Sequence, residues 1–267
     1  MISIKSKREI ELMKHAGHIN YLTHLEVAKN IKAGISTKAL NDIAHKFILD
    51  NDCKPSFLNY EGYPASICIS VNDEVVHGIP SKRKLKDGDV VSVDIGVEYK
   101  GYHSDSANTY IVGHASKEIE DLVENTKKSL YEGLSVIKDG VKISDIGSKI
   151  ESFAKNSNLG VVRELVGHGV GSSIHEDPDV PNYYTNDNTR LRSGMVIAVE
   201  PMLNLGSRHI YMEEDEWTIK TEDGLPSAHF EHTVLVTKDG YVILTGEWEN
   251  WQNPKRMLIL KRMIRLK

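Results

Sequence analysis

Apolar positions recur with a helical period in four stretches of the chain and alternate with polar ones through most of the rest. Residues 6–30 read as a helix with Ile10, Met13, Gly17 and Tyr21 near one face. A second helix starts at Ser36 or Thr37 and runs to Asp50, with Leu40, Ile43, Ala44 and Phe47 as its buried stripe. Residues 116–137 and 144–156 carry the same period. Residues 66–76, SICISVNDEVV, alternate like a strand, or a strand and a bend. Residues 89–112, DVVSVDIGVEYKGYHSDSANTYIV, read as two valine-rich strands joined at the turn-like EYKG. From Val161 onward the chain is strands and loops: a proline-rich loop at 178–186, then VIAVEPML and HFEHTVLVTKDGYVIL. No low-complexity linker interrupts this order, so residues 1–245 read as one compact domain of mixed α+β type, and residues 246–267 as an extension.

The chain also repeats itself. LKDGDVVSVD (85–94) aligns with LRSGMVIAVE (191–200) at an offset of 106, which pairs Asp94 with Glu200. IKAGI (31–35) aligns with IKDGV (137–141) at the same offset, and Phe47 then meets Phe153. A third pair, His77-Gly78 and His168-Gly169, lies between these at an offset of 91, which requires loops of unequal length. The shared order and spacing point to duplicated halves related by a pseudo-two-fold axis.

Each strand of the 89–112 hairpin carries one carboxylate, Asp94 and Asp105. A turn centred between Tyr99 and Lys100 would set them directly opposite each other on one face, with Cβ atoms about 5 Å apart. Like charges that close repel, strongly so when buried, so either one is protonated or a cation lies between them. The second half adds Glu200 at a strand end and Glu231 on the returning strand, and aligning HFE with HSD puts Glu231 at the position of Asp105. His168 in GHGVG is flanked by glycines that let the backbone come close. Each acid taken alone reads as part of a solvated strand face. Four in a duplicated pattern, with one imidazole, suit a pair of divalent ions such as Mn, Fe, Co or Zn. Such pairs sit about 3.5–4 Å apart and activate a water toward a carbonyl.

Composition narrows the setting without changing this picture. The net charge of −5 argues against a general nucleic-acid binder. Two cysteines, Cys53 and Cys68, in so long a chain indicate a reducing compartment, and neither a signal-peptide pattern nor a membrane-length apolar run is present, so the expectation is a cytoplasmic protein.

The motifs NDEVVHGIP (72–80), VSVDIG (91–96), HSDSA (103–107), GHGVG (167–171), HEDPDVPNY (175–183), VEPML (199–203) and HFEHT (229–233) together resemble type I methionine aminopeptidase, from about Ile4 to Thr245. The resemblance implies a pita-bread fold, with two pseudo-two-fold-related halves, a curved antiparallel sheet and outer helices. It implies that Asp94, Asp105, His168, Glu200 and Glu231 hold two metal ions, with Asp105 and Glu231 bridging. It makes Glu200 the general base as well, His175 the donor to the tetrahedral oxyanion, and His77 a contact to the scissile amide. A methionine pocket would be lined by Tyr60, Tyr63, Cys68, Ile174 and Trp217, with Phe57 at its edge, and a thioether suits such an aromatic wall. His15, His18, His24 and His45 stay outside this scheme as ordinary helix histidines. The implied reaction is removal of the N-terminal methionine from peptides and nascent chains, with a small second residue preferred, by a monomer of bacterial type.

The chain departs from the pattern after Thr245. Its last 14 residues carry Lys255, Arg256, Lys261, Arg262, Arg265 and Lys267 and no acid, a basic amphipathic tail suited to ribosomal RNA or lipid, or to packing on the domain. The rivals are a pita-bread peptidase that cleaves before proline, which carries a large N-terminal domain this chain has no room for, a metal-free binding protein of the same fold, and a dinuclear phosphohydrolase. The binding proteins lose metal ligands that are all present here, and the phosphohydrolase needs a cation near the acids that is not seen.

Overall fold

The computed structural model describes residues 2–247, so the basic tail lies outside the described residues from residue 248 onward. Helix α1 spans Lys7–Ala28, and its first turn is closed by a capping box between Ser6 and Glu9. Helix α2 spans Thr37–Asp50 behind the N-cap Ser36. Helices α3 (Lys117–Leu134) and α4 (Ile143–Asn156) repeat the layout in the second half. The described strands all pair antiparallel.

The duplication is written into the backbone hydrogen bonds. Gly34 N–H donates to Leu85 O at 2.7 Å, and Gly140 N–H to Leu191 O at 2.8 Å. Leu85 N–H returns to Ile35 O as Leu191 N–H returns to Val141 O, both at 2.8 Å. The bridge Ser36–Lys84 recurs as Lys142–Arg190. Every one of these pairs is separated by 106 residues. The cores follow the same rule: Leu40, Ala44, Val91 and Val93 fill the first half where Ile146, Ile150, Ile197 and Val199 fill the second. Each such side chain contributes about 1.5–3 kcal/mol by leaving water. The stripe of α2 is Leu40, Ala44 and Ile48, while Ile43 and Phe47 lie at its half-buried margin. Tyr21 is likewise half-buried on α1.

The third repeat does not hold. Val71 faces Val91 in the first half and Gly169 faces Ile197 in the second, so His168 stands at the level of Ser70 rather than of His77. His77 lies just beyond the Glu74–Val76 strand with φ of 59°.

The helix histidines are structural. His24 is buried, with Nε2 3.0 Å from Ser106 O, and His45 Nδ1 lies 2.7 Å from Ser66 Oγ. Gly17 is set where α1 presses on Leu244, and a Cβ there would drive into the Leu244 carbonyl. At an open helix position Gly→Ala is worth about 1 kcal/mol in favour of Ala. Here the overpacking wins: Gly17→Ala is expected to lower the urea midpoint by an amount equivalent to about 1–3 kcal/mol. A raised midpoint would show that the contact yields at no cost.

Candidate metal centre and substrate cavity

The hairpin ladder pairs Asp94 with Ala107 and Asp105 with Gly96, around a two-residue turn at Lys100-Gly101. The two aspartates are therefore diagonal, not directly opposite. The loop is two residues shorter than the EYKG reading supposed and is centred one residue later, because both Lys100 (φ 50°) and Gly101 (φ 83°) take the left-handed conformation of a type I′ hairpin turn. The slip is an even number of residues, so both carboxylates still share a face.

The second half shows the same slip. Val90 faces Ile111 as Val196 faces Leu235, which carries the returning strand across at an offset of 124 and puts Glu231 at the position of Ala107, not Asp105. The residue matching Asp105 is His229. Glu231 sits in the break between the strands Ser227–His229 and His232–Val236, where its N–H donates to Ala107 O at 2.9 Å. Thr233 Oγ1 in turn accepts from Asp105 N–H at 2.9 Å and donates to Asp105 O at 2.7 Å. Each half thus holds the other's returning acid.

Glu200 follows the strand Val196–Val199, with its own carbonyl held by Asn182 Nδ2 at 3.1 Å. His168 Nδ1 lies 2.9 Å from Gly169 O. A carbonyl only accepts, so Nδ1 carries the proton and Nε2 presents a lone pair. That Nε2 is 3.4 Å from Glu200 Oε1 and 3.9 Å from Asp105 Oδ2. Donor atoms of Asp94, Asp105 and Glu231 lie within 4.8 Å of one another, as do those of His168, Glu200 and Glu231. The two sets share Glu231. Asp94 Oδ1, Asp105 Oδ1 and Glu231 Oε1 are buried with no hydrogen-bond partner. Oxygen and imidazole donors with unsatisfied, inward lone pairs fit divalent cations.

The electrostatics agree. Burial raises the proton affinity of all four acids, Asp94 to about 7 and Glu200 to about 8, with neighbouring carboxylates adding to the effect on Asp94, Asp105 and Glu231. Burial lowers His168 to about 3 and His77 to about 4, and draws His175 down as well, so all three rings are neutral at pH 7.

A cavity of ≈ 560 Å³ opens onto these groups. Tyr60, Tyr63, Cys68, Trp217, Phe57, His77 and His175 line it, and Ile174 is packed in the same apolar cluster behind. Tyr63 and Trp217 meet edge to face, their rings 5.0 Å apart, and Tyr63 OH is tied to Gly78 O at 3.0 Å. Cys68 stands opposite Asp94 in the sheet. Burial and then the Asp94 charge raise its thiol far above the ordinary range, so it is an apolar wall and not a nucleophile. His175 packs on His168 at 4.2 Å between centroids, and its Nδ1 lies 2.9 Å from Tyr60 OH.

Every residue proposed from the sequence is thus brought to one place. The sequence reading passed over Val76, Met202, Glu61 and the strand Glu176–Val180 as cavity lining, and over His229 beside Glu200. His229 carried a signal, two positions before Glu231 in an alternating stretch; Glu61, at the tip of a loop with φ of 49°, carried none.

The chain matches metallopeptidase family M24 over residues 11–238. It is 51% identical to methionine aminopeptidase 1 of Bacillus subtilis over 246 residues, covering 92% of this chain and 99% of that protein. The crystal structure of methionine aminopeptidase from Thermotoga maritima superposes with a TM-score of 0.91 at 42% identity, over 92% of this chain and 100% of that one. The prolidase from Pyrococcus furiosus gives 0.75 at 26% identity, and 65% of its length is covered. The fold is the pita-bread fold.

The buried acids set a pH dependence. Asp94 and Glu200 keep protons in the fold up to about 7 and about 8, against ordinary values of 3.8 and 4.5. The folded metal-free chain therefore binds more protons than the unfolded one in that window and loses stability as pH rises through it. The depressed histidines act oppositely, from about 4 for His24 and His77 up to their ordinary 6.5. Above pH 6.5 only the acids remain. Metal-free protein is expected to lose melting temperature between pH 6.5 and 8, and saturating Mn2+ to restore it with release of protons. A metal-free melting temperature that rises over this interval would contradict the shared burial of the acids.

Proposed function

The chain belongs to metallopeptidase family M24, and from that premise we propose how it works: it hydrolyses the amide after an N-terminal methionine, with a divalent pair held by Asp94, Asp105, His168, Glu200 and Glu231. The observation that carries this reading is the meeting of five donors, three of their oxygens unsatisfied, at the floor of a cavity walled by Tyr63, Trp217 and Cys68. The two donor sets sharing Glu231 support two ions rather than one. Bound divalent ions would acidify a water and polarise a carbonyl there.

The protein's own groups supply the rest. Glu200, with its raised proton affinity, takes the proton of the attacking water and passes it on to the departing amine. Tyr60 OH pairs with His175 Nδ1 at 2.9 Å; with the hydroxyl as donor, the Nε2–H of the neutral ring is left to donate to the oxyanion. His77, held neutral by burial and lining the same cavity, contacts the scissile amide. The aromatic and sulfur wall receives the thioether. The preference for a small second residue follows the family resemblance. The same reading makes residues 1–245 the catalytic unit of a cytoplasmic monomer acting on peptides and nascent chains. No helix among the described residues is long and apolar enough to cross a membrane. Ribosome contact through the basic tail rests on residues outside the described ones.

The test uses the metal-loaded protein with Met-Ala-Ser and Ala-Pro-Ser, reading released amino acid. Methionine release is expected, with Glu200→Gln slower by about 10²–10⁴ and His175→Ala by about 10²–10³. Alanine release from the proline peptide alone would move the chain to the prolidase-like activity of its more distant structural neighbours.

A further inference from the structure

His229 takes no part in the scheme above, yet it is buried beside one of its acids. It ends the strand Ser227–His229 and faces Met202, two residues beyond Glu200, across the ladder. Its backbone is clamped on both sides by one hydroxyl: His229 N–H donates to Thr109 Oγ1 at 2.9 Å, and Thr109 Oγ1 donates to His229 O at 2.7 Å. The ring is buried, and neither of its nitrogens has a hydrogen-bond partner. A buried imidazole always carries at least one N–H, and an N–H with no acceptor in reach is costly enough that such groups are rare.

The acceptor it faces is Glu200. His229 Nε2 lies 3.6 Å from Glu200 Oε2, just beyond hydrogen-bond length, while His168 Nε2 lies 3.4 Å from Oε1. The two oxygens of one carboxylate are divided between two imidazoles. His168 presents its lone pair on the Oε1 side, where the donor groups converge. His229 stands on the far side, behind Oε2.

Resting on the reading of the five donors as a metal centre, we propose that His229 is a positioning residue: its ring N–H donates to Glu200 Oε2 and fixes the carboxylate's rotation, so that Oε1 is turned toward the ion. A free carboxylate at a strand end rotates about its last bond, and a ligand that rotates binds less well. Outer hydrogen bonds of this kind are worth about 10- to 100-fold in metal affinity.

The experiment uses full-length, metal-stripped protein and cobalt(II) chloride. Affinity is read by competition with a chelator, and geometry by the visible absorption bands of the bound Co2+. His229→Leu fills the space without a donor; His229→Gln keeps an N–H at similar reach. The expectation is that His229→Leu loses about 10-fold or more in Co2+ affinity with altered bands, and that His229→Gln restores both to within a few-fold. Wild-type affinity and bands in His229→Leu would overturn the proposal, as would equal losses in the two variants. If His229→Leu does not fold, His229→Gln still decides: retained bands support the donor role and lost ones refute it. Wild-type protein that binds no Co2+ would overturn the metal centre itself and this inference with it.

Discussion

Four carboxylates share one buried space, and the rest of the molecule is arranged around that fact. At neutral pH such groups in water would all be charged. Packed beneath a cavity, they hold protons instead, because each would otherwise lose its hydration and meet its neighbours' charge. The fold must therefore supply enough stabilisation elsewhere to hold these groups together. It does so with two apolar cores, one per half, in which helices α2 and α4 press the same kind of stripe onto the same kind of strand.

The duplication explains how the acids converge, and its failure explains the site's asymmetry. Asp94 and Glu200 are related by the repeat: Asp94 lies within the strand Val90–Tyr99, and Glu200 directly follows the matching strand Val196–Val199. The returning strands are related too, but their acids occupy positions two residues apart. Asp105 belongs to the level of His229, and Glu231 to the level of Ala107. The seam between halves absorbs this shift through Thr233 on Asp105 and Ala107 on Glu231. A strictly symmetric pair of sites would offer two equal sets of donors. The two-residue shift instead puts His229, behind Glu200, at the level of Asp105, while His168 enters from a strand whose counterpart carries Ser70.

Much of this was legible in the chain. Period placed the helices, and Ser6, Ser36 and Ser116 cap three of them in the structure. The offset of 106 was readable because α2 and α4 have equal length and the chain from each to its matched strand is equally long. What sequence misjudged was register. EYKG looks like a four-residue loop, since a lysine in the left-handed region leaves no compositional mark; only Gly101 does. Parity rescued the functional conclusion, for a slip of two keeps a side chain on its face where a slip of one would have turned Asp94 into the opposite layer. The pairing of His77 with His168 failed for a different reason: the connections around them differ in length, and two residues cannot establish an alignment across unequal loops.

The histidines show how burial sorts identical side chains into different duties. His24 is buried against backbone and a tyrosine hydroxyl, so its acceptor is built in and its role ends with the core. His168 spends its N–H on the next carbonyl, which frees a lone pair. His175 has its Nδ1 engaged by a tyrosine and its other nitrogen left for the cavity. In each case the partner of one nitrogen fixes what the other can do. His229 differs from these three in having neither nitrogen assigned, and its Nε2 lies 3.6 Å from Glu200 Oε2. A ring without an assigned partner beside the far oxygen of Glu200 is the pairing that the rest of the site's logic leaves over.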